Sequence, residues 1–135
     1  DGLSLRALSS YRSFKTQTSL KAQNTVVYGI GANRFSADQG YSEHQLGTTV
    51  DFTTTSSNGV LGKFEGTKEY EWMTENAYKY GFILSYPKNN SYYIFEPWHW
   101  RFVGVALATK LHRDKMNFYD MDQREIDEYL LTIFD

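Results

Sequence analysis

The fold class of this chain is set by one stretch, residues 82–103, with the sequence FILSYPKNNSYYIFEPWHWRFV. Aromatic and β-branched residues, which favour strands, fill three runs within it, at 82–86, 92–95 and 98–103. Residues 87–90 have the composition of a turn and would join the first two runs as a hairpin. The stretch therefore predicts a cluster of short antiparallel strands.

The residues before this stretch predict two further strands and a helix. Alternating apolar positions over 3–8 indicate a short first strand, and the β-branched and aromatic run at 48–53 indicates another. A helix is predicted over 14–28, ended by glycines. The polar, glycine-containing segments 32–47 and 54–66 are predicted to be surface loops.

Three more helices are predicted around the strand cluster. Thr67 can cap a helix that continues to about Tyr80 and stops at Gly81, and a short helix is expected over 105–112. A last helix begins at Asp122, where Asp122 and Glu125 resemble a capping box. Its apolar face comprises Ile126, Tyr129, Leu130, Ile133 and Phe134. Strands and helices in these groups predict an α+β fold, a small single domain with a central antiparallel sheet flanked by helices.

Size and composition exclude several classes of protein. The 135 residues fit one domain, and a formal net charge of −2 disfavours nucleic acid as a partner. No apolar run approaches the ~20 residues of a membrane helix. Without cysteine, any metal site must use His, Asp or Glu. Because the chain opens on Asp1 and shows no signal peptide, we expect a trimmed, mature fragment.

The residues most suggestive of chemistry surround two of the three histidines. Two imidazoles and one carboxylate are a ligand set with which catalytic zinc keeps a position open for water, and His44, Asp51 and His99 could supply it. His44 leaves a predicted loop and Asp51 follows on a strand, so the intervening residues could fold both toward one ion. The alternative is a core histidine between tryptophans and a surface aspartate. The pattern alone leaves both open.

Glu96 is the candidate proton acceptor beside this set. It precedes His99 by three residues, a spacing that a regular strand would place on opposite faces. Pro97 lies between them and disfavours a helix. A kink at Pro97 is therefore required if Glu96 is to take a proton from water and return it to a leaving amine.

Two separated motifs give the chain a family resemblance. The pattern Ser-x-His-x-x-Gly-x-x-x-Asp over 42–51, followed by Glu-Pro-Trp-His-Trp-Arg over 96–101, resembles the VanY-type D-alanyl-D-alanine carboxypeptidases, zinc peptidases of the bacterial cell wall. Supporting matches are Ser-Tyr-Arg-Ser over 10–13 with Gln17, and WMTENAYKYGFILSYP over 72–87. The resemblance runs from about residue 8 to 104, in the family's order.

The resemblance implies a function for the whole chain, residues 1–135, as a zinc D,D- or L,D-carboxypeptidase catalytic domain. It implies one Zn²⁺ per chain on His44, Asp51 and His99, with Glu96 as the catalytic base. Arg12 is similar to the arginine that stabilises the developing oxyanion. The positions similar to those lining the peptide groove are Gln17, Ser42, Tyr86 and Trp98.

The expected substrate is a peptidoglycan stem peptide, which implies an enzyme working outside the cytoplasm, in the cell wall, in the periplasm or secreted. We also expect a monomer, with no nucleic acid partner and no membrane span. Three alternatives stay open: an endopeptidase of the endolysin type, a non-catalytic zinc-containing binding module, and a structural domain whose histidines never meet. The remaining candidates favour structural roles. His112 is expected to be a solvated helix-end residue, and Arg101 a structural one.

Overall fold

The computed structural model describes residues 2–131 and residue 133. Its sheet contains four antiparallel strands in the spatial order β1-β2-β4-β3. The strands are β1 (Leu5–Ser9), β2 (Thr49–Thr54), β3 (Phe82–Leu84) and β4 (His99–Phe102). The α-helices are α1 (Phe14–Tyr28), α2 (Lys68–Asn76), α3 (Val105–Asp114) and α4 (Gln123–Leu130). The predicted α+β class, with an antiparallel sheet flanked by helices, is confirmed.

Local capping explains why several predicted helices form where the sequence places them. The Ser13 side chain accepts the Thr16 N–H at the start of α1, and Thr67 accepts the Tyr70 N–H at the start of α2. After α2 the chain tightens into a 3₁₀ helix, Ala77–Tyr80, and turns at Gly81 with φ 81°. A Cβ on Gly81 would lie 2.6 Å from the Phe102 ring, so both the backbone and the packing require glycine.

Alternation along the central strands gives the sheet two different faces. Trp100 and Phe52 pack on the α2 side, with Phe64, Met73 and Ala77 completing a buried cluster there. The neighbours Asp51 and His99 point the other way. A second cluster joins β3 to α3 and α4; its buried members are Ile83, Val103, Leu107, Ala108, Leu111, Phe118, Met121 and Ile126. The α2-side face is thus used for packing, and the opposite face presents Asp51 and His99 on β2 and β4 and Ile83 of the second cluster on β3.

The predicted strand at 92–95, and with it the hairpin, is wrong. The Asn90 side-chain oxygen accepts the N–H groups of Tyr92 and Tyr93, at 3.0 and 2.7 Å, and the Ile94 N–H is donated to the carbonyl of Arg34. These donors are therefore not available for a sheet ladder, and β3 pairs with β4 instead.

The predicted surface loops also need correction. Segment 32–47 contains a 3₁₀ helix, Glu43–Leu46, and part of another, Gly29–Arg34. Segment 54–66 contains 3₁₀ helices Thr55–Ser57 and Leu61–Gly66. Each brings buried residues inward. The polar composition of both segments does not predict these 3₁₀ helices, because only a few buried positions are needed to hold a tight helical turn against the core.

The last helix begins as predicted, with a different partner for its glutamate. Asp122 accepts the Arg124 N–H, whereas Glu125 forms an ion pair with Lys110 at 3.0 Å. Phe134, predicted on the apolar face of this helix, lies outside the described residues. No helix within the described residues has both the length and the apolarity to cross a membrane.

Phe64 provides a test of how segment 54–66 contributes to stability. Its side chain is fully buried against the α2-side cluster. We expect Phe64→Ala to lower the free energy of unfolding by about 3–5 kcal/mol, because transfer and cavity costs add. Phe14→Ala is the matched control, since Phe14 is 60% exposed, and should change it by no more than ~0.5 kcal/mol. Urea denaturation measures both; equal effects would contradict the buried position of Phe64.

Candidate metal centre

The polar face of the sheet brings the three predicted ligand residues together. Asp51 of β2 and His99 of β4 are direct cross-strand partners, so their side chains lie on the same face. His44 arrives from the 3₁₀ helix Glu43–Leu46, which ends at Gly47 with φ 75°. Potential ligand atoms of the three buried residues lie within 4.8 Å of one another.

Each imidazole is oriented by a hydrogen bond on its far nitrogen. His44 Nδ1 lies 2.7 Å from the carbonyl oxygen of Ser10, and His99 Nε2 lies 2.8 Å from Glu43 Oε2. An acceptor at these positions places the proton on the far nitrogen of each neutral ring. His44 Nε2 and His99 Nδ1 then face Asp51 at 3.2 Å each.

This donor set fits a divalent metal such as zinc. Asp51 Oδ1 is buried and has no hydrogen-bond partner within the described part of the chain, although His99 Nδ1 is 3.2 Å away. Two imidazole lone pairs and a carboxylate therefore converge, and a cation satisfies all three. Burial raises the pKa of Asp51, but the facing imidazoles of His44 and His99 lower it to about 2, so the carboxylate is ionised at neutral pH.

Without a metal, a proton can hold the cluster together. Burial lowers the pKa of His99, but the neighbouring carboxylates of Asp51 and Glu43 raise it to about 9. A metal ion would replace that proton, since only the neutral imidazole is a ligand.

A sharp turn places Glu96 beside this cluster. The His99 N–H is donated to the Glu96 carbonyl at 3.1 Å, and the Trp100 indole N–H is donated to the Pro97 carbonyl at 2.9 Å. The kink that the sequence analysis required at Pro97 is therefore present. Glu96 Oε2 lies 3.5 Å from His99 Nδ1. Burial, with Asp51 and Glu43 nearby, raises the pKa of Glu96 to about 7, in the range suited to proton transfer at neutral pH.

Arg12 lies beside Asp51. Its Nη1 donates to Gln17 Oε1 at 2.9 Å and its Nη2 to Ser9 Oγ at 3.2 Å, while Nη2 is 3.7 Å from Asp51 Oδ2. The bond from the Arg12 N–H to the His44 carbonyl, 3.1 Å, ties the two segments together. The guanidinium is thus held in place at the edge of the cluster.

The groove residues predicted from the resemblance all line one cleft of about 280 Å³, which His44, Asp51 and His99 also line. Gln17 is buried on α1 and donates to the Ala37 carbonyl at 2.7 Å, and Ser42 precedes the 3₁₀ helix that carries His44. Tyr86 packs against the His99 ring at 4.8 Å, and Trp98 is half-buried. These positions fit the predicted groove, and their contacts with substrate stay a prediction.

The other two candidates have structural contacts. His112 is exposed at the end of α3 and stacks on Tyr78 at 3.8 Å. Arg101 donates to Glu43 Oε1 at 2.9 Å, and its guanidinium lies over the Phe118 ring at 4.6 Å.

Two residues near the cluster were not predicted as part of the site. Glu43 directly precedes His44 in the motif. Because adjacent side chains in a tight turn can point in different directions, the sequence alone does not show that the Glu43 side chain faces the cluster. Tyr119 donates to Glu43 Oε1 at 2.6 Å from 76 positions away, and no sequence signal relates the two.

Comparison with solved structures identifies the class of protein. The LdcB LD-carboxypeptidase aligns with a TM-score of 0.80 and 34% identity, over 96% of this chain and 59% of its own. VanYB in complex with D-alanine-D-alanine gives a TM-score of 0.75 and 30% identity, over 98% and 73% of the two chains. A D,D-pentapeptidase VanY in complex with Zn(II) aligns with a TM-score of 0.73 and 29% identity, over 96% of this chain and 73% of its own. The fold is that of a carboxypeptidase domain.

The sequence comparisons then give the family. The family model "VanY: D-alanyl-D-alanine carboxypeptidase" matches residues 1–105, and the chain belongs to this family. A D-alanyl-D-alanine carboxypeptidase of Enterococcus faecalis is 31% identical over 98% of this chain and 49% of its own length. A D-alanyl-D-alanine carboxypeptidase of Enterococcus faecium is 38% identical over 72% of this chain and 29% of its own length. The chain thus spans less than half the length of either relative.

Proposed function

We propose that this chain is the catalytic domain of a zinc-dependent carboxypeptidase that removes a terminal D-alanine from peptidoglycan stem peptides. The observation that carries the proposal is the convergence of His44, Asp51 and His99 on one buried point with Glu96 alongside. Support for the metal comes from the Zn(II) complex of a similar VanY, and support for the substrate from the D-alanine-D-alanine complex of VanYB.

The residues of the site have separate roles in the proposed reaction. His44, Asp51 and His99 would hold the zinc, which supplies a Lewis acid that polarises the scissile carbonyl and makes water more acidic. Glu96 would accept a proton from the attacking water and pass it to the amine of the departing D-alanine. Arg12, fixed by Gln17 and Ser9, would stabilise negative charge on the carbonyl oxygen.

The lining of the cleft supports a peptide substrate. The cleft is lined by Tyr86 and Trp98, whose aromatic side chains would pack against the peptide. Peptidoglycan is built outside the cytoplasmic membrane, so the proposed enzyme would act there. All the residues of the cluster come from one chain, which is compatible with a monomer.

A product assay on defined peptides tests the function and separates the possible bonds. The zinc-loaded protein would be incubated with a stem pentapeptide ending in D-alanyl-D-alanine and with the tetrapeptide ending in one D-alanine. Mass spectrometry of a carboxypeptidase reaction would show loss of a single alanine, from the pentapeptide for D,D and from the tetrapeptide for L,D cleavage. Loss of a larger piece would indicate an endopeptidase. Intact peptides with zinc bound would indicate a binding module and would overturn the proposal.

A further inference from the structure

A buried carboxylate outside the predicted ligand set, that of Glu43, bonds to the His99 ring nitrogen that faces away from Asp51. Glu43 is 4% exposed, and both of its oxygens are used. Oε2 accepts from His99 Nε2 at 2.8 Å, while Oε1 accepts from Arg101 Nη1 at 2.9 Å and from the Tyr119 hydroxyl at 2.6 Å. Two residues of β4 and one residue from the segment after α3 therefore donate to one carboxylate.

The bond to His99 determines which nitrogen of that ring is free. When Nε2 carries the proton that it donates to Glu43, Nδ1 keeps its lone pair. Nδ1 is the atom that faces Asp51 Oδ1 at 3.2 Å. Loss of the carboxylate would leave the ring free to change its tautomer or rotate, and either change would remove the lone pair from the cluster.

Arg101 and Tyr119 in turn hold the carboxylate. Arg101 offsets the charge of Glu43 and is itself covered by the Phe118 ring at 4.6 Å. The Tyr119 ring lies parallel to that of Tyr86, with an interplanar angle of 3°, at 6.1 Å. Phe118 and Tyr119 belong to a 3₁₀ helix after α3, beyond residue 105, where the family model ends. The part of the chain outside the family match therefore reaches the site.

We infer that Glu43, held by Arg101 and by Tyr119, is a positioning residue that fixes His99 with Nδ1 directed at the metal. The inference rests on the proposed function, since it concerns the same zinc site. By this inference, the segment after α3 contributes to the metal centre through the bond from Tyr119 to Glu43, without touching the metal. Hydrogen-bond partners of metal-binding histidines commonly change metal affinity by about 10–100-fold when they are removed.

The test measures zinc affinity by competition with a chromophoric chelator, on the full chain. We expect Glu43→Gln to weaken zinc binding by about 10–100-fold, and Tyr119→Phe, which removes one hydroxyl, by about three- to tenfold. Tyr92→Phe is the matched control. Its ring packs against Tyr119 at 5.1 Å, and its buried hydroxyl has no hydrogen-bond partner among the described residues, so zinc affinity should stay at the wild-type value.

A second measurement needs no variant, which covers the case that Glu43→Gln does not fold. Long-range ¹H–¹⁵N correlation spectra of the zinc-loaded wild type report the tautomer of each histidine. We expect His99 to carry its proton on Nε2 and to be metal-bound through Nδ1. The reverse assignment would overturn the inference.

The outcomes distinguish this inference from the function on which it rests. Wild-type protein that binds no zinc would overturn both. Wild-type protein that binds zinc, with Glu43→Gln and Tyr119→Phe equal to Tyr92→Phe in affinity, would overturn the positioning role alone. Weaker binding in both variants, with an unchanged control, would support it.

Discussion

Replacing Glu96 by Gln is expected to lower turnover of a D-alanine-terminated stem peptide by about 10²–10⁴-fold, the range of general acid–base catalysis. Glutamine keeps the shape of the side chain but cannot accept and return a proton. Because Glu96 lies beside the ligand set at 3.5 Å from His99 Nδ1, and is not one of its three members, zinc content should stay at the wild-type level. Steady-state kinetics and elemental analysis of the same sample measure the two effects.

The control for this change is Glu75→Gln, which makes the same substitution on the exposed surface of α2. It should leave turnover and zinc content unchanged. Activity of Glu96→Gln within a few-fold of wild type would contradict its assignment as the base. Loss of zinc would indicate that Glu96 serves the metal instead.

Replacing Arg12 by Ala is expected to lower kcat by about 10²–10³-fold, as removal of an oxyanion donor does elsewhere. The reason is geometric, since Gln17 and Ser9 hold the guanidinium rigidly beside Asp51. Arg12→Lys should recover only part of the loss, because a lysine keeps the charge but not the planar fork of donors.

Arg6→Ala is the control, because Arg6 is exposed on β1 and lies outside the cleft. Zinc content should be the same in all these variants. A loss that falls on KM alone, with kcat unchanged, would show that Arg12 binds substrate without stabilising the transition state.

Elements with local signals could be predicted from the sequence. The sequence predicts helix 14–28 with the bounds observed for α1, where Ser13 caps the start and Gly29 follows the end. The strand at β2 and the stop at Gly81 depend on equally local preferences. The class of fold follows from such elements taken together.

Elements that depend on distant partners could not be predicted. The run at 92–95 has strand composition, but Asn90 and Arg34 take its backbone donors. Phe64 is buried, although it lies in a segment whose polar, glycine-containing composition predicts a surface loop. In each case tertiary contacts override a local preference that is itself genuine.

The candidate site also combines features that the sequence predicts locally with features that depend on distant contacts. His44, Asp51, His99 and Glu96 could be named because their spacing forms motifs, but their convergence depends on the register that pairs Asp51 with His99. The Tyr119–Glu43 contact joins residues 76 positions apart, and a single sequence contains no trace of it.

The central claim is that the buried cluster is a zinc site, and metal content tests it most directly. Elemental analysis would be made on wild type, His99→Ala and His112→Ala, the last removing an exposed histidine that stacks on Tyr78. The account predicts about one zinc per chain in wild type and in His112→Ala, and none in His99→Ala. Absence of zinc from wild type, even after its addition, or full retention in His99→Ala, would contradict it.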